Sequence, residues 1–224
     1  MLTKNTSKID DWQKDRQRMF KSVSAKGKII RYLDKKFLVY KNTFWPFRDS
    51  QPLVKNFKIN KGESVLDIGT GSGVIAIFAC YQGAGRVVAV DINPAAIKSA
   101  RHNANMHGFE KVIVVKRSNL FEGIGKEKFD VITANLPFRN KPAHDVVAES
   151  QWDTDLKTNK KFFKGARKYL KPKGRIYFAQ SNFGAIKEIK TLAKEARFSV
   201  KVIGRQSVGK NGVKTFYAFV LKPR

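Results

Sequence analysis

From Glu63 onward the apolar positions gather into short runs separated by glycine, asparagine and proline, and the runs alternate in length. Val65-Leu66-Asp67-Ile68 has the length of a buried strand, and Val74 to Tyr81 is apolar throughout and long enough for a buried helix. Arg86-Val87-Val88-Ala89-Val90-Asp91 predicts the next strand. Asn93-Pro94 then places a capping side chain and a first-turn proline at the head of a helix running to about His107. The alternation continues with strands at Val112–Val115 and Phe129–Ala134, a helix over Leu156–Leu170, a strand at Arg175–Ala179 and a helix over Ile186–Ala196. Two last strands, near Phe198–Ile203 and Thr215–Leu221, flank a Gly- and Lys-rich loop from Gly204 to Val213.

Strands and helices alternating at this spacing imply βαβ crossovers, hence an α/β fold with a mainly parallel sheet covered on both faces and a final antiparallel hairpin. The first 50 residues read as a basic extension before a domain spanning 51–224. In the extension Trp12, Met19, Phe20 and Val23 are sparse anchors that predict a short amphipathic helix, and Lys36-Phe37-Leu38-Val39-Tyr40 predicts a strand. Pro46 makes Phe44 to Asp49 a loop.

Composition sharpens this picture. With 42% apolar residues the 224-residue chain can bury a sizeable core. Its 45 Lys plus Arg against 18 Asp plus Glu give a formal net charge of +27, which points to RNA, DNA or a ribosomal surface as partner; the plainer reading is a device for solubility or a compositional bias of the source organism. The lone Cys80 sits in an apolar run, and His102, His107 and His144 lack ligand spacing, so neither a disulfide nor a metal is expected. No run has the length of a membrane span or a signal peptide, and the cytoplasm is the expected compartment.

Ligands of such sheets bind beyond the carboxyl ends of the strands, so the chemistry is sought there. Asp67-Ile68-Gly69-Thr70-Gly71-Ser72-Gly73 forms a glycine turn that lets the backbone approach a ligand closely. Gly71 to Ala76 also fits the looser dinucleotide pattern. Asp67, however, would repel a pyrophosphate and suits the ammonium of a methionine moiety. Asp91 ends the second strand, where a carboxylate accepts hydrogen bonds from a ribose diol. Asn119 reads as an acceptor for an adenine amino edge or as a plain turn residue. The fourth strand ends in Asn135-Leu136-Pro137-Phe138. Methylating a planar amide or amine requires its nitrogen lone pair to be freed and aimed. The Asn135 side-chain oxygen and the Leu136 carbonyl would each accept an N–H, Pro137 would stiffen the turn, and Phe138 would stack on the target.

These motifs, with Ala89-Val90-Asp91-Ile92-Asn93-Pro94 and Ser118-Asn119-Leu120-Phe121, resemble the class I S-adenosylmethionine-dependent methyltransferases of the small-methyltransferase group, which carry an Asn-Pro-Pro-Tyr-type motif. That group includes release-factor glutamine N5-methyltransferases and several rRNA and tRNA N-methyltransferases. The resemblance covers roughly residues 37–222, and Phe44 to Leu53 is similar to the segment that folds over the cofactor. It implies a Rossmann-like, doubly wound seven-stranded sheet. It also implies S-adenosyl-L-methionine held by Asp67, Gly69, Thr70, Gly71, Gly73, Asp91, Ile92, Asn119, Leu120 and Asn135. Asn119 stands where aspartate is usual, and Leu136 and Phe138 replace a proline and a tyrosine. The expected substrate is an exocyclic base nitrogen of rRNA or tRNA, with Phe47, Arg139 and Lys141 at the target pocket and the loop carrying Lys210 and Lys214 on phosphates. The alternatives are a protein glutamine methyltransferase and, from another class, a non-catalytic RNA-binding scaffold.

Overall fold

The computed structural model describes residues 2–209 and 213–224. Seven strands form one sheet: β3 (Ser64–Ile68), β4 (Arg86–Asp91), β5 (Ile113–Arg117), β6 (Phe129–Ala134), β7 (Leu170–Ser181), β8 (Phe198–Val208) and β9 (Lys214–Pro223). Their order is β5-β4-β3-β6-β7-β9-β8. The first five in that order are parallel, and β9 pairs antiparallel with both β7 and β8. A separate hairpin joins β1 (Lys28–Tyr32) to β2 (Lys35–Val39).

Period-two alternation splits the core between the two faces. Val65, Val87, Ala89 and Val131 pack with the helices α3 (Val74–Tyr81) and α4 (Pro94–Met106). Leu66, Ile68, Val88 and Ile132 pack instead with α6 (Lys157–Ala166) and α7 (Ile186–Glu195). The sheet is thus wound on both sides, with a switch in order between β3 and β6 that opens a crevice at their carboxyl ends. Asn93 caps α4 by accepting from Ala95 N at 2.9 Å, with Pro94 in the first turn. Cys80 is buried, and burial pushes its thiol up to about 12.

Several expectations need correction. The N-terminal helix is not short: α1 (Leu2–Lys21) has 20 residues, because Ile9, Gln13, Gln17 and Phe20 recur on one face and bury against the rest of the molecule. The strand expected at Lys36 has a partner, β1, where no strand is expected. The short α2 (Gln51–Asn56) and α5 (Val146–Glu149) fall in stretches for which no element is expected. β8 continues to Val208, through the first half of the expected loop, its backbone pairing with β9 as far as Val208 opposite Lys214. The ladder shifts register between Val202 and Gly204, where the Asn56 side chain occupies the place a Cβ on Gly204 would need. β7 begins at Leu170, since α6 ends at Ala166 and a 3-10 turn, Arg167–Tyr169, completes it.

Candidate active site

The glycine turn joins β3 to α3 with Gly69, Gly71 and Gly73 at φ of +67°, +56° and +84°. At Gly73 a Cβ would lie 3.2 Å from Ala100 of α4, so this glycine serves helix packing and does not line the crevice. Thr70 N donates to Val90 O at 2.9 Å and fixes the turn against β4. Beneath it Asp67 is fully buried, accepting from Thr70 Oγ1 at 2.6 Å and from Thr133 Oγ1 at 2.7 Å. Burial pushes its carboxyl up to about 6 against the pull of the two hydroxyls. Asp67 therefore braces the turn from below and does not line the crevice, in contrast to the direct contact expected of it.

Asp91 lines the crevice from the end of β4. Its Oδ2 accepts from Gly71 N and its Oδ1 from Asn93 N, both at 2.9 Å. Burial raises this carboxyl above the usual range, and the two N–H bonds oppose the rise. Each oxygen keeps a lone pair for a diol. The crevice is a cavity of about 390 Å³, and next to Asp91 the Ile92 side chain stands 47% exposed on its wall. Leu120, at φ +56°, and Asn119 line the same cavity, and Asn119 donates through Nδ2 to Glu122 Oε1 at 3.3 Å. An apolar shelf, a carboxylate with spare lone pairs and a turn free of Cβ atoms fit an adenine, a ribose diol and a methionine tail in that order. A buried carboxylate under the turn disfavours a pyrophosphate there.

Asn135 ends β6 and lines both this cavity and a second one of about 270 Å³. Its Nδ2 donates to Asp49 Oδ2 at 2.9 Å, and Asp49 Oδ1 accepts from Phe47 N at 3.1 Å. Burial raises the Asp49 carboxyl, while the bond from Asn135 and the charge of Arg16 pull it down. A carboxylate only accepts, so it fixes which end of the amide faces it. The Asn135 oxygen makes no hydrogen bond among the described residues. Asp153 holds Asn159 at 2.7 Å, and Asn159 Nδ2 donates to Pro137 O at 3.1 Å, so the turn after Asn135 is braced from α6. Phe138 lines the second cavity beside Phe183 and Phe216. Its carbonyl accepts from Ala185 N at 2.7 Å, an approach that leaves no room for a Cβ on Gly184.

The remaining expected residues divide. Phe47 lines the second cavity, with the Arg16 guanidinium carbon 3.3 Å from its ring centroid. Arg139 is only 8% exposed and lines neither cavity: it bonds Asp10 and, at 3.1 Å, Gln13 of α1. Lys141 bonds the other Asp10 oxygen at 2.5 Å. Burial works against Asp10 ionising, yet these two bonds outweigh it and hold the carboxyl below its usual range. The pair anchors α1 and does not form a substrate rim. Lys210 lies outside the described residues. Sequence reasoning missed Trp12, Arg16, Asp49, Ser150 and Gln151 on the second cavity. For Asp49 a signal existed, a lone carboxylate beside the aromatic run Phe44 to Phe47; for Arg16 there was none.

Among the described residues no cluster of three or more His, Cys, Asp or Glu could hold a metal, and no helix is long and apolar enough to cross a membrane. The doubly wound sheet, the glycine turn over Asp67, the diol-ready carboxylate and the strand-ending asparagine together define an S-adenosylmethionine-dependent methyltransferase. Residues 48–206 match the methyltransferase small domain family, and the chain belongs to it. It is 32% identical over 180 residues to a Methanocaldococcus jannaschii protein provisionally named a protein N5-glutamine methyltransferase, covering 77% of this chain and 89% of that one. Over 78 residues it is 50% identical to a ribosomal protein L11 methyltransferase of Caldicellulosiruptor bescii, a match spanning 35% of this chain and 25% of that protein. Among solved structures it is similar in fold to a T. thermophilus 16S rRNA N2 G1207 methyltransferase in complex with S-adenosylmethionine and guanosine. That likeness has a TM-score of 0.65 at 18% identity and covers 88% of this chain and 50% of that one.

Proposed function

We propose that this enzyme methylates an exocyclic amino nitrogen of a base in rRNA or tRNA. The observation that carries the reading is Asn135, which stands where the two cavities meet, its Nδ2 fixed by Asp49 and its oxygen unengaged. In this reading Gly69, Thr70, Gly71, Asp91, Ile92, Asn119 and Leu120 hold S-adenosylmethionine in the larger cavity. Once bound, the cofactor supplies an electrophilic methyl group on a sulfonium. The Asn135 oxygen and the Leu136 carbonyl accept the two N–H bonds of the target amine, which turns its lone pair out of the base plane. Pro137, braced by Asn159, keeps the two acceptors in register, and Phe138 with its aromatic neighbours flanks the target. No strong base is required, because the methylated nitrogen loses its proton readily to water. The aromatic lining of the second cavity and the net charge of +27 both favour a nucleic acid.

Methylation of a glutamine side chain is the second reading, favoured by the Methanocaldococcus jannaschii relative that matches over most of both chains. Incubating the purified protein with labelled cofactor and a lysate, then digesting separately with nuclease and protease, decides between them. Nuclease-released label supports RNA, and label retained on stripped RNA narrows the target further. Protease-released label with none on RNA overturns the RNA reading in favour of glutamine.

A further inference from the structure

The second cavity carries a charge arrangement that methyl transfer does not use. Its walls are aromatic, with Trp12 of α1 5.9 Å from Phe183 and Phe183 5.6 Å from Phe216, each pair edge to face. Arg16, Arg48 and Lys214 all line this box, and two of these cations, Arg16 and Lys214, lie over its rings. The Arg16 guanidinium carbon lies 3.3 Å from the Phe47 ring centroid and 4.6 Å from that of Trp12, while Lys214 Nζ lies 4.5 Å from the Trp12 ring centroid. Neither makes an ion pair among the described residues. The carboxylate whose charge acts on Arg16 is Asp49, and its two oxygens already accept from Asn135 and Phe47. Arg16 Nε and Nη1 are buried without an acceptor, and Gln151 Oε1, on the same cavity, is buried without a donor.

Buried donors are nearly always met, so unmet ones beside a cavity are places where water or a ligand completes the pairing. Burial lowers Arg16 to about 10, and Lys214 is lowered by burial and then by the charge of Arg16, so the two cations repel each other across a desolvated space. An anion would relieve both at once. The ligand that suits the whole cavity therefore has a planar ring for the aromatic walls, N–H donors for Gln151 and Asn135, and a negative group for Arg16 and Lys214. A nucleotide has all three, whereas a glutamine side chain has neither ring nor charge.

We infer that this cavity is the acceptor-nucleotide pocket, in which Arg16 and Lys214 take the phosphate of the target nucleotide while the aromatic walls hold its base. The inference rests on the RNA reading above and adds α1 and β9 as the elements that select a nucleotide over a peptide. The test is calorimetry on the full chain loaded with cofactor, using guanosine and adenosine monophosphates, the corresponding nucleosides and inorganic phosphate as probes. The expected result is a monophosphate bound about tenfold or more tighter than its nucleoside, an advantage that collapses in Arg16→Gln and in Lys214→Gln while cofactor affinity holds. If Arg16→Gln lowers thermal stability, Arg16→Lys and Lys214→Gln carry the test, the former keeping the charge and part of the advantage. Equal binding of nucleoside and monophosphate, inorganic phosphate bound as well as the monophosphate, or variants that keep the advantage would each overturn the pocket. So would stronger competition by a glutamine peptide with an acidic neighbour. RNA labelling with unchanged KM in the variants sinks this inference alone, whereas protein-only labelling by the unaltered enzyme sinks the RNA reading.

Discussion

The two cavities that meet at Asn135 are made of different material. The larger has one side made of strand ends and their turns, with Gly69 to Gly71, the Asp91 carboxylate tied to that turn and the shelf of Ile92, and another made of residues between Ala143 and Lys161. The smaller is chiefly side chains brought from α1, the Phe44 to Asp49 segment, the β7–α7 connection and β9. Among the described residues only Phe44, Asn135, Leu136 and Ser150 belong to both. A cradle of backbone fits one cofactor and tolerates little change, whereas a box of side chains can be refitted without disturbing it. Cofactor affinity and acceptor choice should therefore separate in mutants, except at the shared residues.

Asn135→Ala should give the largest effect and probes that exception. In the proposed mechanism it removes an acceptor aimed at the reacting amine, so kcat should fall on the order of 10²–10³-fold. Cofactor affinity by calorimetry should change by only a few-fold, because the turn and Asp91 remain. Equal losses in kcat and cofactor affinity would show that the asparagine chiefly builds the larger cavity, and the separation would fail. Next comes Asp91→Ala, which removes the proposed diol acceptor and also frees Gly71 N and Asn93 N. Cofactor binding should weaken about 100-fold, near 3 kcal/mol, with monophosphate binding in the smaller cavity unchanged. Loss of both affinities together would mean the two regions fold as one.

A stability measurement sharpens the contrast, since the larger cavity has an ionisable group built under it. Asp67, pushed up to about 6 by burial, is easier to keep protonated in the fold than in the unfolded chain. Its folded value exceeds its unfolded one, so its contribution is fully present below about pH 4 and is lost as pH rises through about 6. The loss amounts to about 3 kcal/mol at most, at roughly 1.4 kcal/mol per unit. Asp67→Asn should flatten that slope in denaturant titrations between pH 4 and 8. Asp49 and Asp91, also raised, leave a residual slope of the same sign. An unchanged slope in the variant would mean Asp67 ionises freely under the turn.

The same division explains what could be read from the chain alone. Val74 to Tyr81 and Phe129 to Ala134 match α3 and β6 to the residue, because both are mainly apolar, largely buried runs closed by turn residues. The turn and Asp91 were legible for a related reason: their geometry is local, set by positive-φ glycines and a strand end. The smaller cavity was not legible, because its members meet only through tertiary packing. Arg139, beside the strand-ending asparagine, reads as a rim residue, until Asp10, 129 positions upstream, takes its guanidinium. Asp49 and Asn135 are 86 positions apart, and no periodicity links them. Gly73 keeps a place in the motif but serves the contact with Ala100, which only the packed helices reveal.

Asp49 lies on the boundary itself and gives the smallest of the expected effects. It touches neither reacting atom in the proposed mechanism; it acts on Asn135, whose amide it orients by accepting from Nδ2. In Asp49→Asn the neighbour can donate as well as accept, so the Asn135 amide loses its enforced direction and spends part of its time with nitrogen toward the target. A loss of about tenfold in kcat follows, close to 1.4 kcal/mol, with KM and cofactor affinity little changed. The pH profile distinguishes this from a merely structural role. Burial raises the Asp49 carboxyl, so protonation on acidification comes earlier than for an ordinary aspartate, and a protonated Asp49 no longer dictates the amide's direction. The unaltered enzyme should therefore lose kcat on its acid side, and Asp49→Asn should lack that limb while staying at its lower plateau. An acid limb that persists in the variant would place the titrating group elsewhere and leave Asp49 as packing.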